Sequence, residues 1–205
     1  MPERRGLVPV EVAAVLAVAA IPLPDALPIA LPLFVAASLA RWVRGKSWSD
    51  VVRGPGSRAA IGAIAGLAAL ALAVVLATPL IEGGSQRAIE WAQFPLARGN
   101  AQMFVFASLQ IVLVAIAWEL ALRGWIVERV LELSPGPPTL PVLVGAFAEA
   151  LLVSGDAAVR IGALILGVGL GAMYVAGGRS VLAPIAARSA FGLGALFLET
   201  LRWVG

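Results

Sequence analysis

Apolar residues fall along this chain in long runs separated by short polar, proline-rich or glycine-rich breaks, and each run reads as a helix of transmembrane character. The first run, residues 8–21, is short. It ends where Pro22, Pro24 and Asp25 make a tight turn, because proline removes a donor and pushes its predecessor out of the helical region. A second covers 27–40, with Pro28 and Pro32 in its first turns. Residues 59–80 carry no charge and are rich in alanine and glycine, small residues that let helices approach closely in lipid. The run over 103–133 exceeds one simple span. It is expected to cross up to Glu119 and to continue as an interfacial segment through Glu128, Arg129 and Glu132. Ser134-Pro135-Gly136-Pro137-Pro138 then stops it.

Three further runs follow. Residues 140–153 carry Glu149 and end at the turn Ser154-Gly155-Asp156. Residues 157–176 offer Gly162, Gly167, Gly169 and Gly171 for close packing, and residues 181–201, after the turn Gly177-Gly178-Arg179, carry Arg188 and Glu199. The pattern predicts an all-α, polytopic transmembrane bundle of about seven spans, six to eight depending on the first pair. It forms one membrane domain: a helical pair with a basic loop over 1–57, then a core over 58–205.

Composition agrees with this class. Of 205 residues, 60% are apolar and 13% charged, against about 25% charged in soluble proteins, and the mean hydropathy is +0.95. That length suffices for the predicted spans with short loops and no extramembrane domain. The absence of cysteine excludes disulfides, thiolate metal sites and cysteine nucleophiles. The absence of histidine excludes imidazole ligands, serine–histidine triads and the usual general base. The net charge of +3 does not form a nucleic-acid patch. Instead Arg41, Arg44, Lys46, Arg53 and Arg58 gather between two apolar runs. They read as topology determinants beside anionic lipid rather than as a dedicated ligand site.

The segment Met1-Pro2-Glu3-Arg4-Arg5 and the run after it outline a signal peptide, but Glu11 interrupts the apolar stretch and a second run follows at once. A retained first helix is expected. With the basic loop cytoplasmic, the N-terminus lies inside and the C-terminus outside, and Arg123, Arg129 and Arg179 fall toward the cytoplasm. Trp42, Trp48, Trp125 and Trp203 read as interfacial anchors, and the stretch around Trp91, within 82–100, as membrane-surface chain. No internal repeat of the inverted-topology transporter kind is visible. Abundant alanine, glycine and arginine against a single lysine suggest a GC-rich bacterial genome and hence a bacterial inner-membrane location.

Glu119 and Arg123 share a helix face, with the glutamate N-terminal, the better order for a pair four residues apart. Each charge costs roughly 2.5–3.5 kcal/mol at the centre of an inserted helix. Either a carboxylate is aimed into a cavity with its charge fixed by arginine, or the pair braces the helix against its neighbours. Trp118-Glu119-Leu120-Ala121-Leu122-Arg123-Gly124 resembles the first motif of the CAAX protease and bacteriocin-processing (CPBP) family of intramembrane proteases, two glutamates, three residues, then arginine-glycine. Phe147, within Val144-Gly145-Ala146-Phe147-Ala148-Glu149-Ala150-Leu151, resembles the phenylalanine that opens the second. The stretch from Gly177 to Arg188 resembles the third. The resemblance covers roughly residues 58–200.

The departures fall on the chemistry. Trp118 replaces the first glutamate, Leu151 and Arg188 stand where the resemblance places histidines, and Gly192 where it places an asparagine. The family chemistry so implied uses glutamate and histidine to activate a water, with the late histidine and asparagine supporting the oxyanion. Only Glu119 and Arg123 carry over as catalytic remnants, while Phe147, Glu149 and Arg188 are cavity candidates. A lone glutamate base needs a raised pKa, which neighbouring arginines oppose. Glu119 and Glu149 alone make a poor zinc site, and neither metal nor cofactor is expected.

Arg188 is instead expected to pair with Glu119 or Glu149 across the bundle, two guanidiniums balancing two carboxylates. The alternative for Glu149 is a charge that snorkels to the interface. Glu11 and Glu199 read as wet positions near helix ends. Ser154 and Ser189 lack a basic partner, which disfavours a rhomboid-type serine protease. The expected function is non-catalytic, the binding or scaffolding of a membrane protein or peptide within the lipid bilayer. An active divergent endopeptidase using Glu119 is the alternative, and a small-solute transporter component a third.

Overall fold

The computed structural model describes residues 8–18, 21, 28–79, 94–133, 136–155 and 157–201. Every predicted run forms a helix: α1 (Val8–Ala17), α2 (Ala30–Val43), α3 (Gly56–Leu72), α4 (Ala101–Leu133), α5 (Thr139–Leu152), α6 (Ala157–Ala176) and α7 (Leu182–Thr200). The helix of α3 runs on through a π-helical turn at Ala73–Ala77. Among the described residues, four helices are long and apolar enough to cross a membrane: α3 with its continuation, α4, α6 and α7. The others are shorter. At 1.5 Å per residue the fourteen residues of α2 or α5 reach about 21 Å, below a hydrocarbon core of roughly 30 Å. The turn at Pro22, Pro24 and Asp25, the stretch around Trp91, Ser134, Pro135, Asp156 and Trp203 lie outside the described residues.

Local chemistry sets the ends. Asn100 caps α4, its Oδ1 accepting from the backbone N–H groups of Gln102 (3.1 Å) and Met103 (3.2 Å). At the end of α6, Gly178 enters the left-handed region (φ 67°) while Arg179 N donates to Tyr174 O at 2.9 Å, closing the helix with the glycine turn expected there. The long run is not divided at Glu119. It is one helix of 33 residues, about 50 Å, with its hydrogen bonding widened to a π turn over Leu122–Val127.

Successive helices alternate in direction. The starts of α1, α3, α5 and α7 and the ends of α2, α4 and α6 therefore share one end of the bundle. Arg44 near the end of α2 meets Glu11 of α1 and Glu132 of α4, and Val181 N, before α7, donates to Val51 O, before α3, at 3.0 Å. The outward faces stay apolar, with Ile61, Ile64 and Leu67 on α3, Val105, Leu109 and Leu113 on α4, and Ile161 and Ile165 on α6 all exposed, a surface matched to lipid. Residues 117–127 of α4 are buried on every side, which makes α4 the central helix.

The packing overturns several expectations. Trp125 is only 1% exposed and packs in the core against α2, so it cannot anchor at an interface. Trp48 is half-buried. Its ring stacks on Phe34 (5.6 Å between centroids), lies 4.6 Å from the Arg41 guanidinium, and its Nε1 donates to Ser38 Oγ at 3.2 Å. Trp42, by contrast, is exposed. Arg123 is enclosed in the bundle and not placed at its basic end. Glu199 is buried too, accepting a hydrogen bond from Phe94 N at 3.3 Å, because the chain before α4 folds over the end of α7.

Glycine brings α3 and α7 together along parallel axes. A Cβ on Gly62 would lie 2.1 Å from Ala183 O, and one on Gly66 2.1 Å from Ala187 O. Only a backbone without side chains allows that approach. Gly62→Ala is expected to lower stability by about 1–3 kcal/mol, since backbone must move. Gly162→Ala, with open space around the new methyl group, should be neutral or stabilising by up to about 1 kcal/mol. Reversible unfolding in mild detergent measures both.

Candidate functional site

Four helices contribute to one buried charge cluster at mid-bundle. Glu119 sits on α4 just before the π turn and Arg123 inside it, one turn apart. Arg123 Nη1 donates to Glu119 Oε1 at 3.3 Å, while Nη2 donates to Glu149 Oε2 on α5 at 2.5 Å and to Gly167 O on α6 at 3.0 Å. From α7, Arg188 Nε donates to Glu119 Oε1 at 2.5 Å and Nη2 donates to Glu149 Oε1. Each carboxylate thus receives both guanidiniums, and the formal charges cancel. The side chains of Glu119 and Arg123 are fully enclosed and that of Glu149 nearly so, while Arg188 keeps 20% of its side chain exposed. Its guanidinium also lies 5.9 Å from the Trp118 ring centroid, within cation–π range.

The expected partnership of Arg188 with the glutamates is therefore present, and with both at once. Glu149 does not snorkel. Phe147 stands apart: two residues from Glu149, it faces outward at 55% exposure and lines no part of the cluster. Leu151 also faces outward, at 72% exposure, so a side chain at that position points away from Glu119. The inward position of α5 is Glu149, and the cause is helical phase, since residues two apart differ by about 200° around the axis. Gly192 faces α4, where a Cβ would come 2.7 Å from Ile111 Cγ2.

Gly167 has a role that glycine content alone did not reveal. A Cβ there would lie 2.8 Å from Ala146 Cα and 3.1 Å from Glu149 Oε2. The missing side chain lets α5 and α6 close and leaves the Gly167 carbonyl open to Arg123. Several polar atoms around the cluster stay unmatched: Glu119 Oε2, Arg123 Nε, Trp118 Nε1 and Ser189 Oγ are buried without a hydrogen bond among the described residues. The donor set does not fit a catalytic metal. Two carboxylates, each already bound by two guanidiniums, do not supply the three protein ligands of a catalytic zinc site.

A second network closes the basic end. Glu11 accepts from Arg44 (3.1 Å) and Arg129 (2.6 Å), and Glu132 pairs with both arginines. Tyr174 Oη donates to Glu128 Oε1 at 2.5 Å, and Arg179 approaches Glu128 at 3.8 Å. Glu11, expected to be simply wet, is thus a partly exposed hub. Arg41, expected in the basic loop beside anionic lipid, is buried: its Nη1 donates to Gly124 O in the π turn at 2.8 Å and its Nη2 to Ser47 O. No sequence pattern signals this, because an arginine that ends an apolar run looks the same facing in or out. No family model, curated protein or solved structure matches the chain.

Removing one partner strands a buried charge. Arg123→Met is expected to cost about 3–5 kcal/mol. The double change Arg123→Met with Glu149→Gln should cost less than Arg123→Met alone, because it restores neutrality. Arg123→Lys should not rescue, since an ammonium cannot reach Glu119, Glu149 and Gly167 O together. Denaturant unfolding in detergent ranks the three.

Proposed function

We propose that this chain is a multi-pass protein of the bacterial cell membrane, a catalytically silent relative of the CPBP proteases that binds or scaffolds a membrane protein or peptide. The observation that carries the proposal is the double donation of Arg188 to Glu119 and Glu149. A water-activating carboxylate needs a neighbour that can take up or relay the proton it removes. Here each carboxylate already accepts from two guanidiniums, which have no acceptor atom to pass a proton on to. Where the resemblance places an imidazole, Arg188 only donates and cannot shuttle a proton. The outward turn of Leu151 adds to this, for it removes the second-motif position from the cluster.

One observation favours the second reading, a divergent endopeptidase: Glu119 Oε2 is buried and unpartnered, so a water there would find an acceptor. Purified protein in proteoliposomes, given fluorogenic transmembrane peptides, separates the two. Wild type and Glu119→Gln are expected to show the same background cleavage. Cleavage by the wild type that Glu119→Gln abolishes, with the variant still folded, would overturn the silent reading.

The basic end is proposed to face the cytoplasm, with the N-terminus inside, because positive loops are retained there. The chain has no cysteine, so single replacements label cleanly. In intact cells a membrane-impermeant maleimide is expected to modify Ser154→Cys, at the far end after α5, and to spare Ser49→Cys in the basic loop. The reverse pattern would invert the topology.

A further inference from the structure

The basic end encloses a cavity of about 300 Å³, at the small end of the roughly 300–1,000 Å³ range for ligand sites. Six cations line it, Arg41, Arg44, Lys46, Arg53, Arg129 and Arg179, against three carboxylates. The carboxylates are already engaged. Glu132 is shared by Arg44 and Arg129, Glu128 takes Tyr174 and Arg179, and Asp50 reaches Arg41 only at 3.6 Å. Lys46 and Arg53 form no ion pair among the described residues and are exposed. Positive charge is therefore in excess within a concave, partly apolar wall, where the field is focused.

Arg41 sharpens the case. It is 6% exposed, yet its hydrogen bonds go to two neutral carbonyls, Gly124 O and Ser47 O, and its nearest carboxylate, Asp50, is itself 54% exposed. Buried charges are ordinarily paired. Arg41 Nε and, on the neighbouring wall, Trp125 Nε1 are buried donors without a hydrogen bond. The two carbonyls and the Trp48 ring at 4.6 Å hold the guanidinium in place without neutralising it. A preset, under-neutralised arginine beside two free cations is a receptor for a compact, multiply charged anion with several acceptor oxygens. A phosphate group has that chemistry.

We propose that this cavity is a phosphate site, taking the phosphomonoester or diphosphate group of an anionic membrane lipid or the same group free in solution. Its place at the bundle end that carries the basic loop suits a head group whose tails run down the apolar helix faces, as basic pockets between membrane helices do for anionic lipids. The site is separate from the buried four-charge cluster, and does not depend on that cluster being silent.

The full chain in detergent is titrated with inorganic pyrophosphate at constant ionic strength, against chloride, and binding is followed by tryptophan fluorescence and Tm. Saturable binding is expected in the wild type. Lys46→Gln with Arg53→Gln removes two exposed, unpaired cations, and should weaken binding at least tenfold while leaving the unliganded Tm unchanged. Asp50→Asn removes the competing carboxylate and should tighten binding several-fold, an effect that general destabilisation cannot produce. A second arm uses nanodiscs of phosphatidylcholine containing phosphatidic acid, with bound lipid read by native mass spectrometry. Phosphatidic acid retained by the wild type and lost from the double variant makes a lipid the source; pyrophosphate binding without lipid retention makes the source soluble. No saturable response in either arm, or equal affinity in wild type and double variant, would overturn the proposal.

Discussion

Four charges that would each be costly in an apolar bundle are tolerable because they close on one another. Glu119, Arg123, Glu149 and Arg188 come from three helices, and Gly167 adds its carbonyl from a fourth. Buried ion pairs contribute little net stability over well-packed apolar residues, but breaking one is expensive. Their effect is therefore on uniqueness. Helices this apolar can pack on one another in many ways, whereas a guanidinium that must meet two carboxylates and a carbonyl permits very few.

The same cluster explains how much was legible in the sequence. Runs of apolar residues gave the helices, because a backbone in lipid must satisfy its own hydrogen bonds and length alone then decides what can span. The pair at Glu119 and Arg123 was visible from its spacing, and the partnership with Arg188 from charge balance. Orientation was not visible. Over residues 117–127, α4 is apolar all round except for that pair, so no polar face fixes its phase, and Trp125 looked as much an anchor as a core residue. On α5, Phe147 carried the likeness to a motif and Leu151 the departure from it, yet the side chain that points inward is Glu149. Arg41 and Glu199 were misjudged for a related reason. Both stand near helix ends, where only tertiary contacts decide whether the end is wet or covered.

The π turn at Leu122–Val127 links the two charged regions. Arg123 at its start belongs to the mid-bundle cluster, and the carbonyl of Gly124, one residue on, takes Arg41 from the basic end. Widened turns change which way side chains and carbonyls point within a continuous helix, and are common where a helix must serve two purposes. Here one helix presents a cation to α5 and α6 and a carbonyl to α2 within two residues. The basic network and the buried cluster are thus mechanically continuous although chemically distinct.

The close approach of α3 and α7 has a geometric consequence for the charges. Gly66 rests on the carbonyl of Ala187, the residue immediately before Arg188, and Gly62 rests one turn earlier on Ala183. Two notches four residues apart act as a gauge that fixes how far α7 is inserted and how it is rotated. A slip of one residue would shift Arg188 by about 1.5 Å along the axis and turn it by about 100°, out of reach of both glutamates. The helix α3, whose one charge (Arg58) lies in its first turn, is therefore what sets the alignment of the cation that neutralises both carboxylates.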